Sequence, residues 1–295
     1  MNCLISKSLA TNICEFIRET GQVAIDLRDR GFQVQEKGFD DYVTNVDREL
    51  DVLISQRFQD WFPQDVVISE ENRQSVHLWQ SSQIARNFWF IDPIDGTDDF
   101  IHGREFYSVM VGALANAEPV IGWVYAPKSD LLYWGGASVQ GVFMNIAGLE
   151  AQPLAICPPM GACRDRLIVS KKDDLAYGKA IRKAVPNVEF YSLGSFGLKV
   201  MEVVLGRASA YIYLNRRVKL WDTVAPLAIA KAAGLACCDL TGRAISFSPD
   251  DINAENLIHH QVIVVGWQDF IDEYLGAIAQ ELAACNLNLI NSDLG

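Results

Sequence analysis

A chain of 295 residues, half of them hydrophobic, can bury a large core and suits one large or two ordinary domains. The net charge of −12, a pI near 4.8 and the lack of a basic tail or Lys/Arg cluster of nucleic-acid type exclude nucleic acid as a partner; an anionic small ligand would need a local cation to reverse the field. Seven cysteines (Cys3, Cys14, Cys157, Cys163, Cys237, Cys238, Cys285), odd in number and without a C-x-x-C pair, fit a reducing cytoplasm. Near the N-terminus the longest unbroken apolar runs are two or three residues, and no stretch approaches ~18, so neither a signal peptide nor a membrane span is expected.

Between Ser8 and about Arg30, Leu9, Ile13, Phe16, Ile17, Val23, Ala24 and Leu27 recur at helical spacing, which predicts an amphipathic helix closed by Gly31. Phe32 to Lys37 alternates apolar and polar residues as a strand does. A second helix follows, with Leu50, Leu53, Ile54, Phe58 and Trp61 on its buried face and Pro63 as its stop. Thr44 or Asn45 is the natural N-cap, and Asp47 falls in the first turn, where a carboxylate suits the helix dipole. Val66 to Ile68 is an apolar strand ending in Ser69-Glu70-Glu71, a pair that taken alone is as consistent with solvated strand-end acids as with a ligand. Asn72 to Asn87 contains Trp79 but no clear periodicity and reads as a surface connection with room for a short helix.

The same design returns at Phe88-Trp89-Phe90-Ile91-Asp92-Pro93-Ile94-Asp95-Gly96-Thr97, where a buried-strand pattern ends abruptly in acids. Pro93 fixes φ and Gly96 permits a tight turn, so Asp92 and Asp95 are held rigidly near one another. Two fixed carboxylates repel, and oxygen-only ligands point to Mg²⁺ or a similarly hard cation. An Asp-rich turn is the alternative that this stretch alone leaves open.

Strand-like runs continue at Tyr107 to Leu114, Val120 to Tyr125, Leu131 to Trp134 and Gln140 to Met144, an antiparallel meander that with the two helices predicts an α+β first half, its helices on one side of the sheet. The Pro-rich stretch from Ala151 to Asp165 places a boundary, giving residues 1–155 as an N-terminal α+β domain and 156–295 as a C-terminal α/β domain. The second half alternates: strand Leu167 to Ser170, helix Lys179 to Val185, strand Glu189 to Leu193, helix Phe196 to Leu205 capped by Ser195, strand Ala208 to Leu214, helix Thr223 to Ala233 closed by Gly234, strands Ala236 to Leu240 and Val262 to Val265, and a helix from about Phe270 to Ala284. Asp222 stands where an N-cap would, with Pro226 in the first turn; amide hydrogens gathered there also suit phosphate. Gly194-Ser195 offers a second amide-lined corner.

Asp92-Pro93-Ile94-Asp95-Gly96-Thr97-Asp98-Asp99-Phe100-Ile101-His102 resembles the D-P-x-D-G-T-x-N-F-x-H signature of the inositol monophosphatase family of Mg²⁺-dependent, lithium-sensitive phosphatases. Trp221-Asp222-Thr223-Val224-Ala225 followed by Ala232-Ala233-Gly234 is similar to the family's second signature, and Ser69-Glu70-Glu71 approximates its third. The resemblance implies a layered αβαβα sandwich of the inositol monophosphatase and sugar phosphatase type. It implies a phosphate monoester hydrolase of the inositol 1-phosphate type, in which metal-activated water attacks the phosphoryl group in line. Glu70, Asp92, the carbonyl of Ile94, Asp95 and Asp222 would hold roughly two or three Mg²⁺, with Glu71 a weaker candidate. Thr97 and Asp47 would position the water, and Gly96, Thr97, Lys37, Gly194, Ser195, Arg216 and Asp222 would face the substrate, a small inositol, sugar or nucleotide phosphate. Homodimers are common among such proteins.

Two departures carry weight. Acids at Asp98 and Asp99 replace the usual pattern before Phe100 and put extra negative charge beside the metals. Where inositol-selective members have a glutamate just before W-D, this chain has Tyr213-Leu214-Asn215-Arg216-Arg217-Val218-Lys219, its sharpest basic patch. That patch is either a solvated turn or a seat for a second phosphate, since guanidinium forks match phosphate oxygens. It keeps a 3′(2′),5′-bisphosphate nucleotidase or sugar bisphosphatase as an alternative, and a metal-binding regulatory protein without turnover as an alternative of another class. His102, in an expected loop, reads as structural.

Overall fold

The computed structural model describes residues 5–38, 41–81, 87–147 and 149–285. Helix α1 (Lys7–Arg30) is followed by a hairpin of β1 (Val34–Gly38) and β2 (Asp41–Thr44), then α2 (Asn45–Trp61), β3 (Val66–Ser69), α3 (Arg73–Ser81), β4 (Phe88–Asp95) and the short α4 (Thr97–Ile101). Strands β5 (Ser108–Ala115), β6 (Glu118–Ala126), β7 (Leu131–Gly136), β8 (Gly141–Ile146) and β9 (Gln152–Pro153) complete a seven-stranded sheet of order β3-β4-β5-β6-β7-β8-β9, antiparallel except for β3 and β4. Next come β10 (Arg166–Val169), α5 (Lys171–Ala184), β11 (Glu189–Tyr191), α6 (Phe196–Val204), β12 (Ala210–Tyr213), α7 (Leu220–Ala232), β13 (Ala236–Cys238), β14 (Ile263–Gly266) and α8 (Gln268–Cys285). These strands make a five-stranded sheet of order β11-β10-β12-β14-β13.

Side-chain alternation along each strand sorts the apolar residues into three cores and so creates the layers. On β4, Trp89 and Ile91 face α1 and α2 with Ile17, Leu50 and Phe58. Phe90, one residue out of phase, joins Met201, Val224 and Leu227 of α6 and α7 and, beyond them, Ile168, Tyr211 and Val265 of the second sheet. On that second sheet Leu167, Val169, Ile212 and Val264 face the opposite way, toward Ile181 of α5 and Ile278 of α8. The order is helices, sheet, helices, sheet, helices, the αβαβα sandwich expected from the resemblance.

Some elements differ from the sequence reading, each for a local or long-range reason. The first sheet carries helices on both faces, because α6 and α7 from the second half cover the face that α1 and α2 leave open. Residues 73–81 form α3, the short helix for which that stretch left room, and it buries Val76 and Trp79 against Phe88 and Phe90; about two and a half turns are too few for a visible period. Helix α5 starts eight residues before Lys179, with Ser170 accepting from the Asp173 amide. Gly178 in its middle hid the pattern, and the Asp174–Arg182 pair lies across that glycine. The four-residue β2 had no apolar alternation to reveal it.

Candidate active site

Strand β4 runs straight through its acids. Asp92 pairs with Met110 and Asp95 with Ser108, with a register shift between them that accommodates Pro93, which has no amide to give the ladder. Asp92 and Asp95 are buried, and Asp92 Oδ1 accepts from the Ile94 amide at 3.1 Å. Gly96 then turns with φ of 91°, and a Cβ there would press on Phe106 O and Ser195 N, each at 3.0 Å. Only glycine both adopts that angle cheaply and fits that gap.

Asp95 is clamped by the start of α6. It accepts from Phe196 N at 3.0 Å, Gly197 N at 2.8 Å and Ser195 Oγ at 2.5 Å, with Ser108 Oγ at 3.4 Å. A carboxylate at a helix N-terminus satisfies orphan amides and meets the positive end of the dipole. The amide corner expected at Gly194-Ser195 is therefore committed to Asp95: Leu198 N goes to Ser195 Oγ, and Ser195 N to Phe106 O.

Asp222 is not the N-cap of its helix. Residues 218–220 are tied to 257–259 by the Lys219–Ile258 bridge and by Leu220 N donating to Leu257 O, so α7 begins at Leu220 with Lys219 as cap. Asp222 becomes the third helical residue and reaches back to accept from Lys219 N at 2.6 Å. Pro226 accordingly sits inside the helix rather than in its first turn.

The result of these three local arrangements is one cluster: ligand oxygens of Asp92, Asp95 and Asp222 all lie within 4.8 Å of one another. Burial, then the charges of Glu70, Asp95 and Asp222, push the Asp92 carboxyl well above the usual range. Burial together with Glu70 and Asp95 pushes Asp222 up to about 8. Asp95 is raised by burial against the lowering effect of its hydrogen bonds to Ser195, Gly197 and Phe196. Three carboxylates this close and this dry cannot all ionise without a cation among them, and their all-oxygen donor set fits a hard divalent ion.

Glu70 follows β3 and its amide bonds Ile91 O at 3.2 Å, which sets it beside the β4 acids. Its carboxylate is not among the three convergent groups. It pairs with Lys37 Nζ at 3.2 Å, and Lys37 also meets Glu71 at 2.6 Å. Burial disfavours the Lys37 charge, but Glu70 and Glu71 outweigh it and hold the ammonium above the usual lysine range. Glu71 is pushed up to about 7 by burial and by Glu70.

Asp47 lies in the first turn of α2, in a capping box in which Thr44 N and Thr44 Oγ1 donate to Asp47 Oδ2. Its other oxygen, Oδ1, is 3.4 Å from Thr97 Oγ1, which also donates to Ile94 O at 3.0 Å. Burial raises Asp47 to about 6. Sequence positions 47, 94 and 97 thus form one polar chain.

The basic patch splits on inspection. Arg217 is exposed, whereas Arg216 is half-buried at a φ of 54° and Lys219 lies over the Trp221 ring at 4.9 Å. The extra acids have their own partner: Arg104 donates to both Asp98 and Asp99, offsetting the charge expected to crowd the metals. His102 is exposed and bonds Asp98 O at 2.8 Å, in keeping with a structural role. Arg104, Ser108 and Lys199 escaped the sequence reading. Only Lys199, a lone charge at the start of an apolar helix, left a trace that could have been noticed.

Residues 6–283 match the profile of the Inositol monophosphatase family. A Fructose-1,6-bisphosphatase/inositol-1-monophosphatase of Thermotoga maritima is 30% identical over 257 residues, covering 85% of this chain and 93% of its own. The 3'(2'),5'-bisphosphate nucleotidase CysQ of Escherichia coli K12 is 26% identical over 241 residues, 80% of this chain and 93% of its own. In structure, an IMPase/NADP phosphatase complexed with Mg2+ and phosphate superimposes with a TM-score of 0.72 at 20% identity, over 94% of this chain and 96% of its own. A likeness of that kind speaks to the fold alone.

Proposed function

The chain belongs to the inositol monophosphatase family and is a phosphoric monoester hydrolase; on that premise we propose that it is a Mg²⁺-dependent phosphatase of the inositol 1-phosphate type. The observation that carries the metal reading is the convergence of Asp92, Asp95 and Asp222 within 4.8 Å. These three, with Glu70 and the Ile94 carbonyl, would hold about two or three ions. When bound, the ions supply charge for the phosphoryl oxygens, acidify a water and stabilise the departing oxygen.

The protein's own groups do the rest. Thr97 Oγ1, between Asp47 Oδ1 and Ile94 O, orients the attacking water, and Asp47 takes its proton through that hydroxyl. Gly96, Thr97, Lys37 and Asp222 face the substrate, while Gly194-Ser195 acts by seating Asp95. The division at residues 1–155 and 156–295 stays within this proposal; α6 and α7 packed on the first sheet would make the two halves one folding unit. Six described cysteines are free, which supports a cytoplasmic setting, and among the described residues no helix is long and apolar enough to cross a membrane. A homodimer remains part of the reading on family resemblance.

A second reading, hydrolysis of a 3′(2′),5′-bisphosphate nucleotide or a sugar bisphosphate, is favoured by two observations. The segment before Trp221 offers Arg216 and Arg217 and no acid, and the relatives include enzymes named for both substrate types. The deciding test is phosphate release from inositol 1-phosphate, fructose 1,6-bisphosphate and adenosine 3′,5′-bisphosphate with Mg²⁺, with and without Li⁺. Loss of bisphosphate turnover alone in Arg216→Ala/Arg217→Ala would select the second reading. No Mg²⁺-dependent release from any of them would remove both.

A further inference from the structure

The turn at residues 102–106, between α4 and β5, has no part in the chemistry above, yet it ends on a group that steers the acids. The Phe106 carbonyl accepts from the Ser195 amide at 2.9 Å, which fixes where the Ser195 hydroxyl goes. Ser195 Oγ donates to Asp95 Oδ2 at 2.5 Å and lies 2.8 Å from Ser108 Oγ. The surroundings leave no slack. A Cβ at Gly96 would lie 3.0 Å from both Phe106 O and Ser195 N, and one at Gly194 would lie 2.5 Å from the Asp99 carboxyl carbon and 2.7 Å from Phe106 O. A shift of the turn is therefore passed through Ser195 to Asp95.

Arg104 fixes the turn. Its amide donates to Asp99 O at 2.9 Å, its Nε donates to Asp99 Oδ1 and its Nη2 to Asp98 Oδ2. A guanidinium spread over two carboxylates sets orientation as well as charge. The two ends of that fork are unequal: the Asp98 side chain is 58% exposed, whereas Asp99 is 10% exposed and lies against Gly194. Only the Asp99 end is sheltered enough to hold a shape. We propose that the Arg104–Asp99 ion pair is a positioning latch for Asp95: it holds the turn against Gly194, keeps Phe106 O on the Ser195 amide, and so keeps the Ser195 hydroxyl and the Phe196 and Gly197 amides aimed at the carboxylate. This rests on the reading of Asp92, Asp95 and Asp222 as a Mg²⁺ site. Arg104 is a positioning residue and acts through Asp99 and Ser195.

The sign of one substitution separates a latch from a plain charge effect. Losing a positive charge would by itself favour a divalent cation, whereas releasing the latch loosens Asp95 and weakens binding. Calorimetric titration of the EDTA-stripped full chain should therefore show Arg104→Gln binding Mg²⁺ more weakly, by roughly tenfold, the low end for a group that orients a metal ligand from outside. In the metal-free protein, hydrogen exchange at the Ser195 amide should be about tenfold faster in the variant while the amides of β10 keep their rates. Asp99→Asn/Arg104→Gln leaves no unpaired buried carboxylate and should recover part of both losses. If Arg104→Gln does not fold, Arg104→Lys, which keeps the charge but lacks the fork, should show the same weaker binding and faster exchange. Mg²⁺ binding equal to or tighter than wild type, an unchanged Ser195 exchange rate, or a double variant no better than Arg104→Gln alone overturns the latch. A wild-type protein that binds no Mg²⁺ overturns the metal-site reading instead, and Ser195 exchange, read without metal, still decides the latch.

Discussion

Adding a single methyl group at Gly122 should both destabilise the protein and weaken its metal site. Helix α7 lies directly on β5, β6 and β7, and the approach is so close that a Cβ at Gly122 would fall 2.2 Å from Ala225 O, 2.5 Å from its Cα and 2.6 Å from its carbonyl carbon. Gly112 on β5 is pressed against the same residue, with Ala225 N at 2.5 Å. Every obstructing atom is helix backbone, so no side chain can swing aside. Ordinary contact needs roughly 3.5 Å, and the helix must retreat by about 1 Å or the sheet must bend. Overpacking of this kind costs about 1–3 kcal/mol, and a clash with backbone on a fully buried face belongs at the upper end. Asp222 is one turn before Ala225, so the shift also moves its carboxylate away from Asp92 and Asp95.

Urea unfolding of Gly122→Ala should show a lowered midpoint with an unchanged slope, and Mg²⁺ titration should show weaker binding. Gly276 supplies the control. It lies exposed in the middle of α8 with nothing within 4 Å of its Cβ position, so Gly276→Ala should stabilise the protein by about 0.5–1 kcal/mol through helix propensity alone. Stability of Gly122→Ala within about 0.5 kcal/mol of wild type would refute the close-packing argument, since that is the range of an ordinary surface change.

Asp92→Asn removes one of three crowded charges, so the EDTA-treated variant should melt above wild type while its Mg²⁺-dependent phosphate release is abolished; thermal melts with and without Mg²⁺ check the reversal. Thr44→Val breaks the capping box that holds Asp47, with an expected loss of about 1 kcal/mol in unfolding free energy. The same variant should lower kcat more than it changes KM, as steady-state kinetics would show. His259 is held neutral by burial, its pKa driven down to about 3 from 6.5, with Nε2 bonded to Thr223 Oγ1 at 2.8 Å. Below pH 6.5 the unfolded chain takes up a proton that the folded one refuses, so this stability is complete above pH 6.5 and is lost progressively as pH falls toward 3. Urea unfolding between pH 7.5 and 5 should give wild type a steeper decline than His259→Gln, the difference approaching about 1.4 kcal/mol per pH unit.

Chain-local patterns carried most of the architecture. The apolar run of Phe88 to Ile91 and its sudden end in acids, the Ser195 and Thr44 caps and the meander from Tyr107 onward are all properties of neighbouring residues, and strand and helix periods expose them. Where the pattern was short or broken, as in α3 or around Gly178 in α5, it was not legible, because burial of Trp79 or pairing of Asp174 with Arg182 depends on what lies opposite.

The residues of the site were nameable from their motifs, but their geometry was not. Asp222 looked like a helix cap because nothing nearby shows that residues 257–259 pair with 218–220 and start α7 earlier. The amide corner at Gly194-Ser195 looked open to substrate, yet it spends its donors on Asp95, a hundred residues earlier in the chain. The sequence alone determined which side chains would be rigid, apolar or acidic, since those follow from bonding and local sterics. Only the folded chain decided which of them share a space. Charges interact through distance and dielectric, and both are set by how sheets and helices from remote segments stack.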